Sequence, residues 1–280
     1  MFDLFEKWGG SPRTGEERIS LNESSKSPSD GSYSVLGSDS TSPYKNNLVR
    51  SKTFVLSVGG SIFFNEKLRA PEIAKFCEVI NELVREGFAF VVVVGGGRVA
   101  RVYQAGAKAL GGTNFELDEI AISITRANAL LFTHSIDNAW KNVLTDPKES
   151  ENILLLGRTP IYGGTVPGQT TDSVASLIAE FLGVDMINLS DVDGVYSADP
   201  LKEPNAKMYV ELTHTKLVSL LKAQASKPGA HIFIDPHAAN ILWRSRVKCF
   251  FINGNDLENF KNLVRGNSFR GTTISTNEND

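Results

Sequence analysis

Two stretches decide the fold: Thr53-Phe54-Val55-Leu56-Ser57-Val58-Gly59-Gly60 and Phe88-Ala89-Phe90-Val91-Val92-Val93-Val94-Gly95-Gly96-Gly97. Each is a short apolar run, rich in β-branched or aromatic residues, that stops at consecutive glycines. That is the pattern of a strand buried on both faces. Between them, residues 71–86 place Ile73, Phe76, Val79, Ile80, Leu83 and Val84 at helical spacing, with Pro71 at the start and Gly87 after the end. Strand, helix and strand joined by short connections form a βαβ unit. The unit predicts an α/β protein whose mainly parallel sheet carries helices on both faces.

The alternation continues outward from this unit. Residues 117–139 read as a long helix. Residues 152–156 and 159–162 read as strand-like runs around Gly157, the second broken by Gly163-Gly164. A helix is expected over 171–182, with Asp172 near its start and Gly183 after its end. Residues 186–189 form a strand closed by Ser190-Asp191-Val192-Asp193-Gly194. A short apolar run at 232–234, a helix over 236–245, a strand over 247–252, a helix over 256–264 and a final edge strand at 271–274 complete the domain.

Composition bounds the partners. The chain has 280 residues, 41% of them apolar and 22% charged, which suits one large α/β domain or two modest ones. A formal net charge of −3 provides no global basic field for nucleic acid. Cys77 and Cys249 each sit in an apolar stretch and read as reduced core thiols. No apolar run reaches the roughly 18 residues of a membrane span. Asp3, Glu6 and Lys7 interrupt any signal-peptide core, so a cytoplasmic location is expected. Residues 1–50 differ from the rest: eleven are serine, and the stretch is expected to be disordered. Within it, Phe2, Leu4, Phe5 and Trp8 form a short apolar segment. The ordered domain is expected over 51–275, with 276–280 as a tail.

The chemistry lies where strands end in glycines: Gly59-Gly60-Ser61, Gly95-Gly96-Gly97 and Gly163-Gly164-Thr165. At the carboxyl edge of a parallel sheet, such turns free backbone N–H groups, and the next helix adds its positive end. Three of these edges suit more phosphates than one small anion carries. Neither a Walker A sequence nor G-x-G-x-x-G follows the first strand, against P-loop and dinucleotide-binding folds.

Together, Val58-Gly59-Gly60-Ser61, Val94-Gly95-Gly96-Gly97-x-x-Ala100-Arg101 and Asp191-Val192-Asp193-Gly194-Val195-Tyr196-x-x-Asp199-Pro200 resemble the amino acid kinase superfamily, and within it the archaeal-type uridylate kinases. Ile124-Thr125-Arg126-Ala127-Asn128-Ala129, the segment from Gly163 to Asp172, Ile234-Asp235-Pro236 and Gly271-Thr272-Thr273-Ile274 extend the likeness over residues 53–275. The resemblance implies a three-layer α/β/α sandwich with an acceptor-binding N-terminal lobe and an ATP-binding C-terminal lobe. It also implies ATP-dependent phosphorylation of UMP to UDP with Mg²⁺, in a homo-oligomer, commonly a hexamer.

By the same resemblance, Gly60, Ser61, Gly97, Arg101, Ser190, Asp191, Tyr196 and Asp199 hold ATP. Gly96, Asp118 and the loop Thr165, Val166, Pro167, Gly168, Gln169, Thr170 and Thr171 hold UMP, with Asp118 on the ribose hydroxyls. Read alone, an Asp near a helix start is more often a cap or dipole partner. Two departures stand out. Ser190-Asp191 replaces the family's common Thr-Asn, adding a charge near the nucleotide phosphates. Ser57 stands where many relatives carry a lysine, a substitution that archaeal-type uridylate kinases share. Transition-state charge then falls to the loop amides, Mg²⁺, Arg101 and Lys227, although beside Pro228-Gly229 Lys227 reads equally as a surface lysine. The histidines 134, 214, 231 and 237 show no metal-ligand spacing and read as surface or helix-end residues. The fold also leaves open a kinase for another small acceptor, or a protein that binds nucleotide or stores an oxyanion without turnover. Isopentenyl phosphate kinases generally use a histidine near the glycine loops, and none lies between Ser51 and Thr133.

Overall fold

Strands β1 (Thr53–Val58) and β2 (Ala89–Val94) pair in parallel from Thr53↔Ala89 to Val58↔Val94. The helix between them, α2 (Ala70–Arg85), buries Ile73, Phe76, Val79, Ile80 and Leu83, the face marked out by its apolar spacing. The computed structural model describes residues 52–65, 67–200, 202–225 and 233–276, all within one compact unit, Thr41–Asp280. The readings made for 1–50, Lys227 and the tail beyond Thr276 lie outside the described residues.

The remaining described elements are α1 (Gly60–Phe63), α3 (Gly97–Ala109), α4 (Asn114–Ser135), α5 (Glu149–Leu155), β3 (Ile161–Tyr162), α6 (Thr171–Leu182), β4 (Asp185–Ser190), β5 (Glu211–Thr213), α7 (His214–Ala225), α8 (Pro236–Ser245), β6 (Cys249–Asn253), α9 (Leu257–Val264) and β7 (Thr272–Ser275). The sheet order is β3-β2-β1-β4-β6-β7-β5. β1, β2, β3, β4 and β6 run parallel, and β7 runs antiparallel to β6.

Alternate residues of each strand feed two cores. On one face Phe54, Leu56, Phe90, Val92, Ile187 and Leu189 pack with residues of α2, α4 and α9. On the other, Val55, Val91, Val93, Met186 and Cys249 pack with residues of α5, α6, α7 and α8. The expected three-layer sandwich is therefore present.

Three expectations are corrected. Residues 152–155 belong to a helix with Leu156 as its C-cap, because α5 buries Ser150, Ile153 and Leu154 at spacings of three and four. The run at 232–234 forms no strand in its described part, Phe233-Ile234. The last strand is interior, because β5, which carries one buried residue in three, pairs with β7 and takes the edge. The long helix also shifts. A reciprocal capping box between Thr113 and Glu116 starts it at Asn114, and the extended backbone of Ile136 ends it.

Candidate active site

β1 lies between β2 and β4, so the chain winds away from it in both directions. In an open parallel sheet, a crevice forms at the carboxyl ends of the strands where this reversal occurs. A cavity of 540 Å³ opens there, lined by the ends of β1 and β2, the start of α3, the middle of α4, the start of α6 and the end of β4.

The glycines at its floor have a packing reason. A Cβ on Gly60 would lie 2.0 Å from the backbone nitrogen of Gly97, and one on Gly95 would lie 2.7 Å from that of Gly60. The first two loops are thus stacked backbone against backbone, at a separation only glycine allows. Gly97 also has φ +64°, which starts α3 from the left-handed region. Some loop amides serve the scaffold: Gly59 N–H donates to Leu189 O at 2.9 Å, and Gly95 N–H to Val58 O at 2.9 Å. Gly60, Ser61 and Gly97 open α1 and α3, where helical geometry supplies no acceptor for the first N–H groups.

The third glycine pair is laid on α4. A Cβ on Gly163 would meet the Arg126 nitrogen at 2.7 Å. Thr125 Oγ1 accepts from Gly164 N–H at 2.7 Å. Arg126 Nε donates to Gly164 O at 3.0 Å, and its Nη2 donates to Thr165 O at 2.9 Å. Asn128 Nδ2 donates to Gly95 O at 3.0 Å, tying the same helix to the second loop. Asp118, two turns earlier, accepts from Gly168 N–H at 2.8 Å through Oδ2.

The floor also contains Asp172, which the sequence marks only as a helix-start acid. Its Oδ1 accepts from Ser57 Oγ at 2.6 Å and from Asn188 Nδ2 at 2.9 Å. Burial, and secondarily the nearby Asp235 charge, push its carboxyl up to about 6. Ser57 thus serves as a donor to a half-buried acid at the cavity floor. Asp235 caps α8, accepting from the N–H groups of His237 and Ala238, and its Oδ2 accepts from Ser173 Oγ at 2.7 Å and from Thr170 Oγ1.

Gly60, Ser61, Gly96, Gly97, Arg101, Asp118, Gln169, Thr170, Thr171, Ser190 and Asp191 all line the cavity. Thr165, Val166, Pro167 and Gly168 do not line it, but Thr165 and Gly168 are the tethered residues just described. Tyr196 and Asp199 also lie outside its lining. Tyr196 bridges Met208, and Asp199 approaches Lys202 Nζ at 3.5 Å. Lys227 lies outside the described residues. The sequence alone gives Thr125, Arg126 and Asn128 no role. Their signal was three polar residues at i, i+1 and i+3 inside an apolar helical pattern. His214 is fully buried at the start of α7, with Nε2 2.7 Å from Val247 O. Among the described residues no group of three or more His, Cys, Asp or Glu can hold a metal. No helix among them is long and apolar enough to cross a membrane.

A switch-point cavity lined by stacked glycine loops, Arg101, Thr125, Thr170 and Thr171 in an α/β fold is the kind of crevice that suits phosphate groups. The family model described as the amino acid kinase family matches residues 52–253, and the chain belongs to that family. It is 40% identical over 222 residues to the uridylate kinase of Archaeoglobus fulgidus, covering 79% of this chain and 99% of that protein. It is 38% identical over 224 residues to the uridylate kinase of Pyrococcus abyssi, covering 79% and 98%. The crystal structure of the Archaeoglobus enzyme superposes with a TM-score of 0.69 over 79% of this chain and 99% of that one. The UMP kinase of Ureaplasma parvum shares the fold at 17% identity, with a TM-score of 0.67 over 80% and 99%.

Proposed function

We infer that the chain is a UMP kinase, transferring the γ-phosphoryl group of ATP to UMP to give UDP and ADP. The observation that carries this reading is the 40% identity to the Archaeoglobus uridylate kinase across 99% of that protein. The cavity supports it, because the two stacked loops and the tethered third loop open into one space.

In this reading Gly60, Ser61 and Gly97 present N–H groups to the ATP phosphates, and Ser190 and Asp191 border the ATP side. Tyr196 and Asp199 would join that side only if their loop moved toward the cavity. Gly96, Asp118 and the loop from Thr165 to Thr171 hold UMP. Mg²⁺ enters with ATP, held by its phosphates and water, which suits a cavity with three separate carboxylates, Asp118, Asp172 and Asp191. The UMP phosphate is largely a dianion at neutral pH, having a second pKa of about 6, and needs no general base. One of its oxygens forms the new bond to the γ-phosphorus while the bond to the β–γ bridging oxygen breaks, leaving ADP. Catalysis is then alignment and charge stabilisation, with Arg101 supplying a cation inside the cavity and Lys227 a second. Assembly into a homo-oligomer belongs to the same reading. Exposed Val102 and Tyr103 on α3, Leu110 just after it and Phe115 on α4 support self-association.

Incubation with ATP, Mg²⁺ and UMP should yield UDP and ADP in equal amounts, read by anion-exchange chromatography. ADP formation without UDP would refute the proposal.

A further inference from the structure

One face of α4 holds the third glycine loop. Asp118, Thr125 and Arg126 are seven and eight residues apart, two helical turns, and so share a side of the rod. Thr125 and Arg126 pin the start of the loop, at the Gly164 N–H and at the Gly164 and Thr165 carbonyls. Asp118 pins its middle at the Gly168 N–H. Arg126 stands apart from the other two, because Asp118 and Thr125 line the cavity and its half-buried side chain does not. A guanidinium fork suits a carboxylate or phosphate. Here both of its hydrogen bonds go to successive backbone carbonyls of the loop.

We propose that Arg126 is a positioning residue for the acceptor: it holds loop 165–171 in its binding shape before UMP arrives, without touching UMP. This rests on the reading of that loop as the acceptor site. Without the two bonds the loop must be ordered during binding, and that entropy subtracts from acceptor affinity. The ATP side is built on the ends of β1 and β4 and the start of α3, none of which receives either Arg126 bond. Loss of Arg126 therefore acts on the acceptor KM and leaves the ATP KM in place. A lysine restores the charge but is a point donor and lacks the fork that reaches both carbonyls.

The test is steady-state kinetics of the full chain and of Arg126→Met and Arg126→Lys, varying UMP and ATP separately, with and without added guanidinium chloride. Arg126→Met should raise the UMP KM about tenfold to a hundredfold, the change expected on losing one or two hydrogen bonds to a charged group. The ATP KM should stay within about twofold. Arg126→Lys should fall between, and it carries the same comparison if Arg126→Met does not fold. Non-denaturing guanidinium should lower the UMP KM of Arg126→Met, and sodium chloride at equal ionic strength should not. An active wild type with an unmoved UMP KM in the variants would overturn the inference alone, as would both KM values rising together. A wild type that makes no UDP from UMP would remove the function beneath it.

Discussion

Replacing Gly60 by alanine puts one methyl group between the first two glycine loops. Its carbon would sit 2.0 Å from the Gly97 nitrogen, 2.6 Å from the Gly97 Cα and 2.8 Å from the Gly96 carbonyl carbon. All three are backbone atoms, so no side chain can swing away. Ordinary contact begins near 3.4 Å, so the loops must part by about 1.4 Å. Overpacking of this kind costs about 1–3 kcal/mol, which in a domain of this size lowers Tm by roughly 2–12 °C. The catalytic effect should exceed the effect on stability, since a misplacement of about 1 Å can cost on the order of 10²-fold. We expect Gly60→Ala to remain folded at 25 °C while kcat/KM for UMP phosphorylation falls by at least about 100-fold. Gly106→Ala is the matched control: Gly106 lies inside α3 at negative φ, and a Cβ there meets nothing within 4 Å. It should gain about 0.5–1 kcal/mol from helix propensity and keep full activity. Thermal denaturation and a coupled ADP-release assay give both quantities. A Gly60→Ala enzyme with kcat/KM within about threefold of wild type would refute the account of stacked loops.

Three further outcomes follow from particular groups. The Asp172 carboxyl, pushed up to about 6, takes up a proton in the folded state between roughly pH 4 and pH 6 that the unfolded chain does not hold. Stability should therefore fall as pH rises through that window, and Asp172→Asn should flatten the profile and be the more stable protein at pH 7.5. A pH-independent difference, measured by urea denaturation, would contradict the assignment. Thr272, fully buried, donates through Oγ1 to Tyr209 O and accepts from Val195 N–H at 2.9 Å. Thr272→Val orphans both groups and should cost about 2–5 kcal/mol in chemical denaturation, and a loss under about 1 kcal/mol would show that they find other partners. Deleting residues 2–50 should leave kcat and both KM values unchanged, and a loss of turnover would show that the extension acts on the site.

Much of the fold was legible because strands buried on both faces are near-continuous apolar runs, as in residues 53–58 and 89–94. The four apolar residues Ile153 to Leu156 carried no such certainty. A run that short fits either a strand or a buried helical face, and packing decided for the helix. β5 was invisible because a three-residue edge strand with one buried side chain leaves no periodicity to read. In the site, glycines at strand ends marked the cavity, and most of the residues assigned to it line it. What the sequence hid was long-range bonding. Ser57 and Asp172 are 115 positions apart, and Arg126 reaches carbonyls 38 and 39 positions along the chain. Local pattern carries no trace of such pairs. The stacking of Gly60 on Gly97 was hidden for the same reason, since the glycines alone read equally well as free amide donors.

In this cavity the γ-phosphoryl group of ATP passes to one acceptor, UMP, leaving ADP. Labelled ATP with Mg²⁺ should be offered to the full-length chain with UMP, CMP, dCMP, isopentenyl phosphate and carbamate in parallel, and kcat/KM determined for each. UMP should be the preferred acceptor, with UDP as the labelled product. Equal or faster transfer to any other acceptor, or ATP bound without transfer to any of them, would contradict it.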